Sequence, residues 1–271
     1  MPAAKSALDN GADPNGGSAE KGDYGYKHNT PLAVACATKN PEIIRLLIKR
    51  GAEVNARSGA LAGVTPLEVA VAPSVEEQAG TANPATVEAA VRGRLAAVKL
   101  LLDNGADPKI KSRLGSNALT AAAGCGPVEI VELLIRKGAP VNGSTALDQP
   151  LAEAARLRKP VAAKIIEALI SHGAKPQTPI PPNMETALHV AAGRGHTDSV
   201  RVLLDHGAKT EARDRFGATP LHAAVASNRL DTVTLLLERH ASAVAEDLNG
   251  RTPVMLGKSE EMKALFKDAK K

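Results

Sequence analysis

Seven histidines and two cysteines are the side chains of this sequence best suited to hold a metal or run a reaction. His189 and His222 stand 33 residues apart (222 − 189 = 33), each three places after a threonine, in Thr186-Ala-Leu-His189 and Thr219-Pro-Leu-His222. A shared offset from the same residue type makes them copies of one structural position, a repeat step apart rather than at ligand distance. His196 follows Gly195 and His206 precedes Gly207, so both read as turn or helix-end residues. His28, His172 and His240 fall in loop or helix-end positions with no Cys, Asp or Glu at zinc-like spacing. Cys36, six after Thr30, lies on the apolar face of a predicted helix and reads as a small buried hydrophobe. Cys125, eight after Asn117, stands where the copies carry Arg194 and Ser227, and is predicted nearer the surface. The chain has no G-x-S-x-G, no H-E-x-x-H and no Walker-type phosphate loop. No carboxylate pair is spaced for acid–base work. The expectation is therefore a chain with no catalytic residue, no cofactor and no metal, and not an enzyme.

The elements that position these residues follow from the period. Thr186, Thr219 and Thr252 are 33 apart (219 − 186 = 33; 252 − 219 = 33). Such a period marks one supersecondary unit, copied and stacked. In Thr219-Pro220-Leu221-His222 the hydroxyl can cap a helix start, and Pro at the first helical position loses no hydrogen bond. Leu221, Ala224 and Val225 give a narrow apolar face at helical spacing. Asn228-Arg229 ends this helix, and a second begins near Leu230 with Val233, Leu236 and Leu237 on one face. In the preceding copy Gly207 follows Leu203-Leu204, where a left-handed residue ends a helix. The chain then extends through 208–213, turns at 214–217 and is predicted to form a short hairpin. No unit can bury its own apolar face, so stacking supplies the core.

The pattern T-[AP]-L-H, paired Ala, paired Leu, then Gly-Ala resembles the ankyrin repeat over nearly the whole chain. The resemblance implies an all-α solenoid of stacked helix-turn-helix units with short β-hairpin fingers. It also implies that His189 and His222 bond backbone between neighbouring units, and it puts Asn55 and Asn142 at the hairpin position that some animal ankyrin domains have hydroxylated. The expected array occupies residues 1–271: a partial repeat and loop at 1–28, then repeats at 29–63, 64–115, 116–147, 148–184, 185–217 and 218–250, and a capping half repeat at 251–271. Residues 1–15 read as the end of a second helix, so the chain is expected to begin inside a repeat, as a piece of a longer protein or as a degenerate cap. Gly16–Gly25 is expected to be mobile. The second repeat runs 40 residues from Thr65 to Gly105, against 21 from Thr30 to Gly51. The difference is 19 residues (40 − 21 = 19), an insert spanning roughly 73–92, with a loop at 73–83 and a helical part at 84–92, expected to project from the stack. Thr65–Ala72 is expected to fill the first-helix slot, and Gly93-Arg94 the turn between helices. The 148–184 repeat replaces Thr-Pro-Leu with Gln149-Pro-Leu and carries an extra turn near 156–160.

Composition narrows the function. Trp 0, Tyr 2 and Phe 2 suit thin Leu/Ala/Val layers better than one large core. A net charge of +5 is a mild bias, more typical of a solvated surface than of a nucleic-acid footprint, and the aromatic platform for stacking single strands is missing. Two cysteines make no disulfide framework. The first ten residues lack the apolar run of a signal peptide, and no stretch approaches the ~18 apolar residues of a span. A cytoplasmic or nuclear monomer is expected. The resemblance implies a continuous concave face lined by finger tips and first helices, which binds a partner protein. The positions left free by stacking are Lys111, Arg113, Leu114 and Ser116 on one finger and Arg213, Arg215, Phe216 and Ala218 on another. On the first-helix rim they are Thr38, Gly124, Cys125, Gly193, Arg194, Ala226 and Ser227. Phe216 reads equally as a binding anchor and as ordinary packing on the next finger. Basic finger residues, Lys109, Lys111, Arg113, Arg213, Arg215 and Arg251, suit either an acidic partner or simple solubility. The alternative function is a targeting or substrate-recruiting domain of a larger enzyme or secreted effector.

Overall fold

The computed structural model describes residues 2–16, 21–22, 25–26, 30–58, 63–73, 83–143, 145, 147–158 and 160–268. The mobility expected of 16–25 and the loop expected at 73–83 fall mainly on residues outside that set, as do Tyr24 and His28. Within it the chain is helical, with two two-residue strands, Lys21–Gly22 (β1) and Gly25–Tyr26 (β2), paired antiparallel. Contacts gather into two compact units, Met1–Pro140 and Val141–Lys271.

In the first unit, α1 (Pro2–Asp9) is followed by three helix pairs: α2 (Pro31–Ala37) with α3 (Pro41–Lys49), α4 (Pro66–Val71) with α5 (Pro84–Asp103), and α6 (Ala118–Ala123) with α7 (Val128–Arg136). The second unit holds four: α8 (Pro150–Arg156) with α9 (Val161–Ser171), α10 (Ala187–Arg194) with α11 (Thr197–Asp205), α12 (Pro220–Ala226) with α13 (Leu230–Glu238), and α14 (Pro253–Leu256) with α15 (Glu260–Asp268). Within each unit first helices pack on first helices and second on second. The core is thin layers of Leu, Ile, Val and Ala, exemplified by Leu119, Ala122 and Ile130, all fully buried. The short first helices start where the caps dictate. Thr30 Oγ1 accepts the Ala33 N–H at 3.2 Å, Thr65 and Glu68 form a reciprocal capping box, and Asn117 Oδ1 accepts the Thr120 N–H at 2.9 Å. Gln149 makes no such bond; its amide reaches Gly143 O instead.

One local expectation changes. Gly93 and Arg94 form no turn: α5 runs unbroken for 20 residues, so the helical part of the insert is the first turns of that unit's second helix. Gly93 is needed there for closeness, since a Cβ would stand 3.2 Å from Lys39 O. Arg94 is 2% exposed and donates from Nη1 to Val71 O at 3.2 Å, which holds α5 against the end of α4. The fingers are short hairpins, with single antiparallel bridges at Ser58–Val64 and Ile180–Glu185. Their turns close on paired backbone bonds: Ser112 N–H to Ser116 O (2.7 Å) with Gly115 N–H to Ser112 O (3.0 Å), Asp214 N–H to Ala218 O (3.0 Å) with Gly217 N–H to Asp214 O (3.0 Å), and Asp247 N–H to Arg251 O (2.9 Å) with Gly250 N–H to Asp247 O (3.0 Å).

Candidate protein-docking surface

The fingers of the second unit are built by an acidic residue reading its own turn. Asp214 Oδ1 accepts the N–H groups of Phe216 (2.8 Å) and Ala218 (2.9 Å). Asp247 Oδ1 accepts those of Asn249 (2.8 Å) and Arg251 (2.9 Å). Arg251 also donates Nε to Asp247 Oδ2 at 2.8 Å. That side-chain bond, with the two backbone N–H groups, holds the Asp247 carboxyl down at about 2. Neighbouring fingers are then stitched by main chain, Arg215 N–H to Asn183 O (2.8 Å) and Leu248 N–H to Phe216 O (2.9 Å). The result is a row of tips carrying Met184, Phe216 and Leu248, which are 44, 48 and 79% exposed.

The predicted cations of this row are mostly engaged within it. Arg213 Nη1 donates to Gly217 O (2.8 Å) and Glu246 O (2.5 Å), and the Arg215 guanidinium lies 4.8 Å from the Phe216 ring centroid. Ala218 is half-buried, and its carbonyl accepts from His189 Nε2 at 3.0 Å. On the adjoining rim Arg194, Ala226 and Ser227 are exposed, and Gly193 is half-buried, 3.6 Å from Ala223 Cβ if given a Cβ of its own. In the first unit, the stem of Arg113 lies on Gly63, where an added Cβ would come 2.9 Å from Arg113 Cγ. Leu114 is 62% exposed, while Lys111 and Ser116 are half-buried. Thr38 is exposed and Gly124 half-buried. Cys125 is half-buried, its thiol donating to Ala121 O at 3.0 Å, with Arg94 Nη1 3.7 Å from the sulfur. Met184 and Leu248 were not among the sequence candidates. The signal was present: each is a large apolar residue on a finger, 32 places either side of Phe216 (216 − 184 = 32; 248 − 216 = 32).

The histidines act as backbone braces. The Thr186 N–H donates to His189 Nδ1 at 3.1 Å, which leaves Nε2–H to donate to Ala218 O one unit on. Thr219 N–H, His222 and Arg251 O repeat the arrangement at 3.1 and 3.0 Å. Burial lowers the His189 pKa and keeps the ring neutral. Asn15, Asn55 and Asn142 brace the hairpins: each donates its amide to the carbonyl of the next unit's helix-ending glycine and accepts an N–H two places beyond it. Among the described residues no three His, Cys, Asp or Glu side chains gather as metal ligands, and no helix is long and apolar enough to cross a membrane.

The profile described as ankyrin repeats (three copies) matches residues 87–180 and 151–249, and the single ankyrin repeat matches 27–59. Human ankyrin repeat and KH domain-containing protein 1 is 34% identical over 138 residues, 51% of this chain and 4% of that protein. Human cyclin-dependent kinase 4 inhibitor B is 33% identical over 102 residues, 38% of this chain and 72% of that protein. The crystal structure of the human ASB11 ankyrin repeat domain superposes with a TM-score of 0.73 at 25% identity, covering 88% of this chain and 97% of that one. The chain spans 3, 7 and 4% of the lengths of the KH-domain relatives from Drosophila melanogaster, Caenorhabditis elegans and Homo sapiens. Repeated caps, histidine braces, glycine-ended second helices and matched profiles coincide on the same residues, and the chain belongs to the ankyrin repeat family, whose domains are in general protein-interaction modules.

Proposed function

We propose that this chain is a non-catalytic module that binds a partner protein on its hairpin fingers and the neighbouring ends of its first helices. The observation that carries the reading is the finger row of the second unit. Its backbone is fixed by hydrogen bonds before any partner arrives, so little ordering entropy is lost on docking. It presents Phe216, Leu248 and Met184 to solvent, with Arg215 stacked on the aromatic ring. Aromatic and arginine anchors of this kind carry a large share of binding energy at protein interfaces. Because Arg213 and Arg251 are tied into the fingers, the partner is recognised chiefly by apolar contact, with Arg215 offering the charge for an acidic group.

The test is a quantitative binding assay on a co-purified partner, comparing wild type with Arg215→Ala, Phe216→Ala, Leu248→Ala and Arg113→Ala. Loss of about tenfold or more in affinity at Phe216 or Leu248 is expected. Unchanged binding in all four would remove the fingers as the docking surface. A second reading, a recruiting domain within a larger polypeptide, is supported by the small share of its long relatives that the chain spans. A catalytic domain in the same reading frame would favour it.

A further inference from the structure

An asparagine followed by glycine can react with its own main chain, because no Cβ shields the next backbone nitrogen from the side-chain amide. The chain has five such pairs: Asn10-Gly11, Asn15-Gly16, Asn104-Gly105, Asn142-Gly143 and Asn249-Gly250. The structure sorts them. Asn15 donates to Gly51 O (3.1 Å) and accepts Glu53 N–H (2.7 Å). Asn142 donates to Gly173 O (2.8 Å) and accepts Lys175 N–H (2.9 Å). Asn104 donates to Leu100 O at 2.7 Å. Asn10 and Asn249 are exposed, and their side-chain amides bond no described residue. The glycine N–H does not separate the pairs. It closes a turn in Gly11 (3.2 Å), Gly16 (3.0 Å), Gly105 (3.3 Å) and Gly250 (3.0 Å) alike. Of the two unheld amides, Asn10 follows α1, and Asn249 stands at a finger tip beside Leu248.

We infer that Asn249 is a self-modification site, at which the finger converts its own amide to an acid. The turn opens locally, which an exposed tip does readily. The Gly250 nitrogen then attacks Asn249 Cγ, a reaction between groups already joined in one chain. The N–Cγ bond forms and the Cγ–Nδ2 bond breaks. Nδ2 leaves as ammonia, carrying the proton that the Gly250 nitrogen gives up. Water opens the five-membered imide at either carbonyl, leaving an aspartyl or an isoaspartyl residue at position 249. At Asn15 and Asn142 two further hydrogen bonds must break before the same attack.

The product alters the tip. Asn249 N–H (2.8 Å) and Arg251 N–H (2.9 Å) converge on Asp247 Oδ1, and Gly250 N–H reaches Asp247 O. An isoaspartyl link adds one carbon to the main chain between those donors, so they lose their register on Asp247. Either product also sets a second carboxylate beside the ionised Asp247. Leu248 rides on this turn: its N–H donates to Phe216 O, and its backbone nitrogen would lie 3.0 Å from a Cβ on Gly217. The modification therefore shifts an exposed apolar tip and adds negative charge next to it. That it weakens partner docking rests on the reading of the fingers proposed above; the modification itself does not.

The test holds the full chain at pH 8.5 without denaturant, samples it over days and maps tryptic peptides by mass. Peptide 240–251 carries Asn249 as its only asparagine, 100–109 carries Asn104 and 138–156 carries Asn142. The acid form is expected to build up in 240–251 ahead of both others, and at least tenfold ahead of 138–156. Part of it should accept a methyl group from isoaspartyl methyltransferase. In urea the three rates should converge. Equal rates in the native chain, or a 240–251 peptide that stays tenfold ahead in urea, would overturn the inference. Asn249→Gln, whose ring closure would need six members, should abolish the signal with an unchanged circular dichroism spectrum. Amide exchange of Leu248 and Arg251 should quicken in the aged wild type and not in aged Asn249→Gln. Exchange unchanged by ageing would overturn the effect on the finger.

Discussion

Cys36 and Cys125 show how small differences in register decide chemistry. Cys36 is fully buried, and desolvation pushes its thiol up to about 12, against a smaller opposing pull from Lys39. Cys125, two places further along its own helix pair, reaches the half-buried rim. Thiolate and access both control alkylation. At pH 8, iodoacetamide should therefore label Cys125 in the native protein and Cys36 only after unfolding, which peptide mass mapping reads directly. His189 has a signed pH consequence. Its folded pKa lies below the ordinary 6.5 because burial disfavours the imidazolium. The unfolded chain therefore binds the proton first as pH falls, and stability is lost from about 6.5 down through the lowered folded value. The urea midpoint should drop between pH 7.5 and 5, and His189→Gln should flatten that part of the profile. A profile unchanged by the substitution would assign the pH dependence elsewhere. At this scale the histidine braces were expected from the family resemblance, whereas the asparagine braces were not. Nor were the contacts of the finger cations. Arg213 and Arg251 are basic in sequence, yet their donors are taken by carbonyls and by Asp247, which composition does not report.

Among the elements, the ends of the second helices give the clearest prediction. Gly51, Gly105, Gly138, Gly173 and Gly207 close theirs with φ between 81° and 93°. His240 holds the equivalent place at φ 62°, where a Cβ costs about 1–2 kcal/mol. Its side chain is exposed, so little contact is lost on removal. His240→Gly should raise stability by about 1 kcal/mol, measured by urea denaturation, after allowing for the greater freedom of Gly in the unfolded chain. The α5 extension gives the second. Ala85, Thr86, Glu88 and Ala89 are exposed, whereas Ala97, Val98 and Leu101 are fully buried. Proline at Ala89 should unravel only the first turns and cost less than the roughly 3 kcal/mol of an interior proline. Proline at Val98 should abolish cooperative folding. Hydrogen exchange along α5 separates the two outcomes. The existence of this helix was legible from Asn83 onward, and so was the Thr65 cap of its partner. Its continuity was not, because the same dipeptide, Gly193-Arg194, ends α10, and nothing local says that Gly93 sits under Lys39 O.

For the molecule as a whole, the governing fact is that contacts are local and each unit buries its own residues. Val141–Lys271 encloses Leu169, Leu188, Ala191, Leu203, Leu221 and Leu236, all fully buried, and two histidine braces link its successive helix pairs. The stretch 258–267 buries Met262 and Phe266 and turns Lys258, Glu260, Glu261, Lys263 and Lys267 to water. Stability in such a chain is close to a sum of repeat and neighbour-contact contributions, so a segment with its own stacked pairs does not require distant residues to fold. Residues 141–271 expressed alone should therefore give a cooperative urea transition by circular dichroism. In the full chain, amide exchange should be slowest in α10 to α13, where two caps, two histidine braces and the glycine-ended helices coincide, and fastest in α1, which is held by one asparagine brace and one exposed ion pair. A fragment that unfolds without a transition, or slow exchange in α1 beside fast exchange in α12, would mean that stability is shared along the chain in some way other than through neighbouring pairs.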